Sequence, residues 1–113
     1  MAYELAITRG DTKIYALHFR DGAGVDIDIT GWMIFFTVKK KLEDIDDDAK
    51  IKKNITNHTD PIHGKTEIRL DPADTELLGE HFYDIQVKTP AGAIITIATS
   101  SIMFNYDVTR RVN

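Results

Sequence analysis

The stretch "WMIFFTVK", residues 32–39, decides the fold of this 113-residue chain. Every second residue in it is large and apolar, namely Trp32, Ile34, Phe36 and Val38. Successive side chains of a β-strand point to opposite sides, so this period of two predicts a strand with one face in a core. The residues between them include Met33 and Phe35, so the second face of the strand is also partly apolar.

The same period of two recurs along the chain, whereas the period of a helix is almost absent. Strong alternation occurs in "KIYALHFR" (13–20), "VDIDIT" (25–30), "HFYDIQVK" (81–88), "AIITIATS" (93–100) and "SIMFNYDV" (101–108), and weaker candidates are "AKIKKNIT" (49–56) and "KTEIRL" (65–70). Residues that suit turns separate these segments. We expect a hairpin at "TPAG", residues 89–92, and a turn between two strands at Ser100 and Ser101.

One short helix is predicted near residues 71–79. Asp71 can cap it, Pro72 suits the first helical position, and Gly79 suits a left-handed stop. Together with roughly seven or eight strands at short intervals, these signals predict an all-β fold. We expect an immunoglobulin-like antiparallel β-sandwich that occupies residues 1–113 as a single domain.

Composition limits the classes of partner. The net charge of −4 argues against nucleic acid and against anionic membranes, because both favour cationic surfaces. No apolar run is long enough to span a bilayer, and the absence of cysteine excludes disulfides and thiolate metal sites. We therefore expect neither nucleic-acid nor membrane binding.

An acidic loop is the first candidate for chemistry. Asp44, Asp46 and Asp48 alternate as at the start of an EF-hand calcium loop. Ala49 and Ile55 then stand where that loop needs a glycine and a bidentate glutamate. We expect a solvated acidic loop, with a calcium site as the alternative.

Histidines and serines give weaker signals. His58 and His63 share a loop with Asp60, but a stable zinc site needs three or four preorganised ligands. The only serines, Ser100 and Ser101, lack the G-x-S-x-G nucleophile elbow. We therefore expect no catalytic residue, no cofactor and no metal ligand, and a protein that is not an enzyme.

Outward-facing aromatic residues leave three possibilities open. Trp32 and Phe35 lie on opposite faces of one predicted strand, so one of them can point away from the core. That face could be buried by the second sheet, could contact another subunit, or could stack on a sugar ring.

Three stretches of the chain resemble one known family of domains. They are "ITRGDTKIYALHFRDGAGVDIDITGWMIFFTVKK" (7–40), "GKTEIRLDPADTELLGEHFYDIQVKTPAGAIITI" (64–97) and "SSIMFNYDVTRR" (100–111). They are similar to the N-terminal immunoglobulin-like domains of baseplate upper proteins in long-tailed phages. In that family a Gly-Asp-Thr turn, an Asp-Gly hairpin, a "D-I-T-G" corner, a "Y-D-I" strand and a closing "D-V-T-R" follow in this order.

The resemblance implies a structural protein of the phage virion, made in the host cytoplasm and built into the tail or baseplate. It implies a docking module for tail, baseplate or fibre proteins, present as a homo-oligomer such as a trimer or hexamer. The helical linker and receptor-facing portion of the baseplate upper proteins do not follow the domain here, so direct host binding is not expected. A capsid decoration protein and a carbohydrate-binding module that aids adsorption are the alternatives.

Two groups of residues are predicted to contact partners. Met33 and Phe35 belong to the second face of the long strand, and Arg110, Arg111 and Val112 form a terminal segment whose arginines can bind acidic groups. A third motif, Arg9-Gly10-Asp11, is predicted to be a turn between strands rather than an integrin ligand, because Gly permits positive φ there.

Overall fold

Seven strands form two sheets in the computed structural model, which describes residues 5–41 and 49–105. The strands are β1 (Leu5–Thr8), β2 (Lys13–His18), β3 (Met33–Lys39), β4 (Ile51–Ile55), β5 (Lys65–Leu70), β6 (Gly79–Lys88) and β7 (Ile94–Asn105). The larger sheet has the order β1-β7-β6-β3-β4, and β2 pairs with β5 in the smaller one. A 3-10 helix covers Pro61–His63, and the described residues contain no α-helix.

The long predicted strand lies inside the larger sheet. β3 pairs antiparallel with β4 on one side and with β6 on the other. Its inner residues Ile34, Phe36 and Val38 are all 0% exposed. This strand is therefore the centre of the core, as its alternation predicts.

The smaller sheet covers the inner face of the larger one. Ile68 and Leu70 of β5 are fully buried in the common core. From the β2 side, the ring centroid of Tyr15 lies 6.4 Å from that of Phe36, and Phe19 meets Trp32 edge-on at 5.8 Å. The predicted all-β sandwich is confirmed. It is not wholly antiparallel, because β1 runs parallel to β7.

Gly64 allows three chain segments, at Phe19, Ile27 and Gly64 itself, to come into close contact. Its carbonyl accepts a hydrogen bond from the amide of Phe19, and the amide of Ile27 donates to the carbonyl of Phe19. Gly64 has a φ of +73°, and an added Cβ would lie 2.5 Å from the oxygen of Phe19 and 2.6 Å from that of Ile27. No side chain fits there, so glycine is required both for its backbone angle and for its size.

The helix predicted near residues 71–79 is wrong. Residues 72–75 form a single turn, in which the carbonyl of Asp71 accepts bonds from the amides of Asp74 and Thr75. To continue as an α-helix, the carbonyl of Thr75 would have to bond the amide of Gly79. That carbonyl instead accepts from the amides of Gly10 and Leu77, and Gly79 already begins β6.

The strand predicted at residues 25–30 is also wrong, apart from one bridge between Arg20 and Asp26. The Asp28 carboxylate accepts hydrogen bonds from the amide and the hydroxyl of Thr30. Such local bonds between side chain and backbone compete with the ladder of a sheet. Of the predicted apolar face, Ile29 points into the protein and is 0% exposed, whereas Val25 is 60% exposed.

The two strands predicted on either side of Ser100 and Ser101 are one continuous strand. β7 runs for 12 residues, and Ser100 and Ser101 pair with Tyr83 and Phe82 of β6. No glycine or proline interrupts residues 93–105, so nothing forces a turn there. β7 does contain a register shift. Ile85 of β6 pairs with Ala98 and the next residue, Gln86, pairs with Thr96, so Ile97 has no partner residue in the ladder.

Neighbouring phenylalanines on β3 offer a direct test of the two faces. We expect Phe36→Ala to lower the free energy of unfolding by about 3–5 kcal/mol, because it opens a cavity in a fully packed core. Phe35→Ala, one residue away on the other face, should cost only about 1 kcal/mol. Urea unfolding of both variants measures the difference, and equal losses would contradict the placement of the core.

A second prediction concerns the close approach at Gly64. Gly64→Ala should lower the free energy of unfolding by about 3 kcal/mol or more, since it combines a left-handed backbone with a backbone clash. Gly24→Ala is the matched control, because Gly24 has a φ of +81° but an open surrounding. That control should lose only about 1–2 kcal/mol in the same thermal or urea unfolding experiment.

Candidate functional site

The candidate site is the outer face of the larger sheet, defined as the side turned away from β2 and β5. The register of the strands shows which side chains lie next to one another on this face. Phe35 lies between Asn54 of β4 and Gln86 of β6, and Met33 lies opposite Lys88. The outer face is therefore a polar surface with a few apolar side chains set into it.

Phe35 is the aromatic residue that points outward. It is half-buried, whereas Trp32 packs against Phe19 and the core. The amide of Gln86 beside Phe35 donates to the hydroxyl of Thr96 at 3.1 Å, which holds that polar neighbour in place. Of the two predicted aromatic candidates, the structure thus leaves Phe35 available to a partner.

Phe82 is a second outward aromatic residue that was not predicted as a contact. It pairs with Lys39 of β3 and Ser101 of β7, and a shallow depression lies beside it. That depression is lined by Thr37, Lys39, Phe82, Tyr83, Asp84 and Thr99. The sequence could have predicted this exposure, because Phe82 directly precedes Tyr83 in the strand and must point to the opposite face.

Three isoleucines near the start of β7 are exposed apolar side chains that the sequence analysis missed, and they lie on both faces of the strand. Ile94, Ile95 and Ile97 are 64%, 47% and 42% exposed. Their alternation predicted a strand with a buried face, yet the smaller sheet does not cover this end of β7. Sequence alone does not show how far a second layer extends.

The predicted terminal contacts Arg110, Arg111 and Val112 lie outside the described residues, and so do the alternating carboxylates Asp44, Asp46 and Asp48.

The histidines serve hydrogen bonds within the fold. Both ring nitrogens of His58 are engaged, one with the hydroxyl of Thr66 at 2.9 Å and the other with the carbonyl of Trp32 at 2.8 Å. His63 lies 2.9 Å from the carboxylate of its loop neighbour Asp60. Across residues 5–41 and 49–105, no group of three His, Cys, Asp or Glu side chains could hold a metal ion.

The Arg9-Gly10-Asp11 motif is a turn, as predicted. Gly10 has a φ of +82°, and the amide of Asp11 donates to the carbonyl of Thr8 at 3.1 Å. The hydroxyl of Thr75 donates to the carbonyl of Asp11 at 2.8 Å. The motif therefore joins β1 to β2 and is tied to the turn that precedes β6.

His81 is a buried histidine on the inner face of β6. Its ring meets Phe104 edge-on at 5.2 Å, and its Nδ1 lies 3.2 Å from the carbonyl of Gly79. Burial lowers the pKa of His81, and the nearby positive charges of Lys40 and Lys50 lower it further. The folded protein thus keeps this ring neutral at pH values where an unfolded chain would protonate it.

We expect stability to fall as the pH decreases from 7.5 to 5.5. A depressed folded pKa means that the unfolded state binds more protons below its own value near 6.5, so acidification favours unfolding. His81→Gln should reduce this pH dependence, whereas His63→Gln, at an exposed position beside Asp60, should leave the contribution of His81 in place. Urea midpoints at both pH values measure it; the same slope in wild type and His81→Gln would contradict the assignment.

No helix in the described part of the chain is long and apolar enough to cross a membrane.

No model of a known protein family matches the sequence, and no curated protein matches it. Seven chains among solved structures do match it. One of them is the N-terminal domain of phage TP901-1 ORF48, which is similar over 89% of this chain and 83% of that one, with a TM-score of 0.53 and 9% identity. At that identity the similarity shows a shared fold, and the fold is one that a phage protein uses as its N-terminal domain.

Proposed function

We propose that this protein is a structural component of a phage virion and that it works as a non-enzymatic docking module of the tail tip or baseplate. The observation that carries the proposal is the fold shared with the N-terminal domain of phage TP901-1 ORF48 over 89% of the chain. The motif resemblance to baseplate upper proteins points the same way and rests on different evidence, the order of turns and strands in the sequence.

Most of the resembling motifs that the structure describes fall on turns and one lies inside a strand, while "D-V-T-R" at residues 107–110 lies outside the described residues. Gly10 to Thr12 join β1 and β2, and Asp28 to Thr30 form the local turn that leads into β3. Tyr83 to Ile85 lie inside β6. The agreement therefore concerns the way the chain turns, which supports a shared architecture more than a shared ligand.

Docking would occur through the outer face. Aromatic side chains surrounded by polar ones are the usual anchors of a protein interface, and Phe35 and Phe82 have that setting. Met33 adds an adaptable apolar contact beside them. A stable contact needs about 1,200–2,000 Å² of total buried surface, so a partner would have to cover a large part of this sheet.

The proposed partners are other tail, baseplate or fibre proteins, together with further copies of this chain in a symmetric assembly. The terminal segment Arg110-Arg111-Val112 stays a predicted contact of the same kind. Neither nucleic acid nor membrane belongs to the proposed role.

Electron microscopy of virions labelled with a specific antibody tests the location. We expect label at the tail tip or baseplate. Label on the head shell would overturn the tail assignment and favour a decoration protein, and unlabelled virions would overturn the virion role.

Substitutions on the outer face test the mechanism. Phe35→Ser combined with Phe82→Ser should reduce incorporation into virions about tenfold or more, the effect of losing interface anchors. Ile62→Ser is the control, since Ile62 is 65% exposed and lies in the 3-10 helix that leads into β5 of the smaller sheet. Full incorporation of the folded double variant would refute docking through this face.

A glycan array with the same variants addresses the remaining alternative. Saturable glycan binding that disappears in Phe35→Ala, with circular dichroism unchanged, would favour a carbohydrate-binding module over the docking role.

A further inference from the structure

In the described part of the chain, the first half of β7 is an open edge of the larger sheet. β6 pairs with β7 from Ile94 to Phe104, whereas β1 covers the other side only from Ile102 to Asn105. Within residues 5–41 and 49–105, no strand pairs with that side of residues 94–101. We call these eight residues the β7 edge.

Backbone groups of the β7 edge point outward. The amide of Thr89 donates to the carbonyl of Ala93 at 2.9 Å, which makes them a hydrogen-bonded pair. In an antiparallel ladder, hydrogen-bonded and non-hydrogen-bonded pairs alternate. The backbone N–H and C=O of Ile94 and Thr96 therefore face away from β6, where another strand can bond them.

Two features that usually block pairing between sheets, charged side chains and proline, are absent from the β7 edge, and a register shift opposite Ile97 is the irregularity that it contains. Residues 89–106 contain no charged side chain, and no proline follows Pro90. The exposed Ile94, Ile95 and Ile97 add apolar contact area to the open backbone. An exposed edge of this kind is a ready template for a further strand.

The opposite edge of the same sheet is protected. β4 is the last strand on that side, and Lys50 and Lys52 at its start are exposed. Lysines on an edge oppose the addition of another strand. The head-to-tail contact in which the β7 edge of one copy meets β4 of the next, and which would build an open fibre, is therefore disfavoured.

We propose that the β7 edge pairs with the β7 edge of a second copy of this chain, antiparallel and about a twofold axis. An isologous contact brings each residue near the same segment of the partner, and an uncharged strand meets itself without like-charge repulsion. The two larger sheets then join into one, and the contact closes as a dimer. Like the proposed function, this dimer treats the domain as a part of an assembly. Its test measures self-association, whereas the test of the proposed function locates the protein in the virion.

Sedimentation velocity on the isolated protein tests the proposal. Wild type should shift with concentration from the 12.8 kDa mass of one chain to twice that mass. Thr96→Pro removes an N–H that faces away from β6, so it should prevent dimerisation. The β6–β7 hydrogen bonds stay intact, and the variant should be a folded monomer. Ile94→Lys places a charge on the edge and should have the same effect, and it serves if the proline variant does not fold.

Val25→Lys is the matched control, since Val25 is a 60% exposed apolar residue away from the β7 edge. It should dimerise as wild type does. A wild type that stays monomeric at all concentrations overturns the proposal, and so does a dimer that survives both edge variants. A monomer whose β7 edge instead captures a strand from another virion protein overturns the choice of a second copy.

Discussion

Burial of the inner face of β3 is the interaction on which the rest of this structure depends. Ile34, Phe36 and Val38 are wholly withdrawn from water, and Phe36 packs against the rings of Tyr15 and Tyr83. Each such side chain contributes about 1.5–3 kcal/mol, so the three together approach the whole net stability of a domain, about 5–15 kcal/mol. The smaller sheet keeps its position because it packs against this strand at the centre of the common core.

The two layers of the sandwich are unequal, and this inequality leaves apolar side chains of the larger sheet exposed. Five strands form one layer and two form the other, so the inner face of β3 and β6 is covered while β7 extends beyond its cover. Within residues 5–41 and 49–105, no strand covers the outer face. A small domain that leaves so much sheet uncovered is suited to an assembly in which neighbours complete its layers.

Sequence reasoning found what depends on local periodicity and missed what depends on competition between partners. The faces of β3 and β6 followed from alternation, because one side of each strand is buried and the pattern cannot slip by one residue. The helix near residues 71–79 failed since the carbonyl of Thr75 bonds Gly10, a residue 65 positions away, which no local pattern reveals. The strand at 25–30 failed for the opposite reason, because Asp28 satisfied the backbone locally.

The candidate site was predicted in part for the same reasons. The sequence predicted an outward-facing Phe35 because consecutive residues of a strand point to opposite faces, and Phe36 lies on the inner one. Phe82 carried the same signal but was not used. The exposure of Ile94, Ile95 and Ile97 depends on where the two-stranded layer ends, and that is a property of the tertiary arrangement alone.

The parallel pairing of β1 with β7 determines how the domain responds to mechanical force. The chain enters this pair at Leu5, beside Ile102, and leaves it at Asn105, beside Thr8. Tension between the two ends therefore slides the strands along each other and loads their hydrogen bonds together, instead of peeling them apart one after another. Such shear geometry makes the joint stiff along the pulling direction.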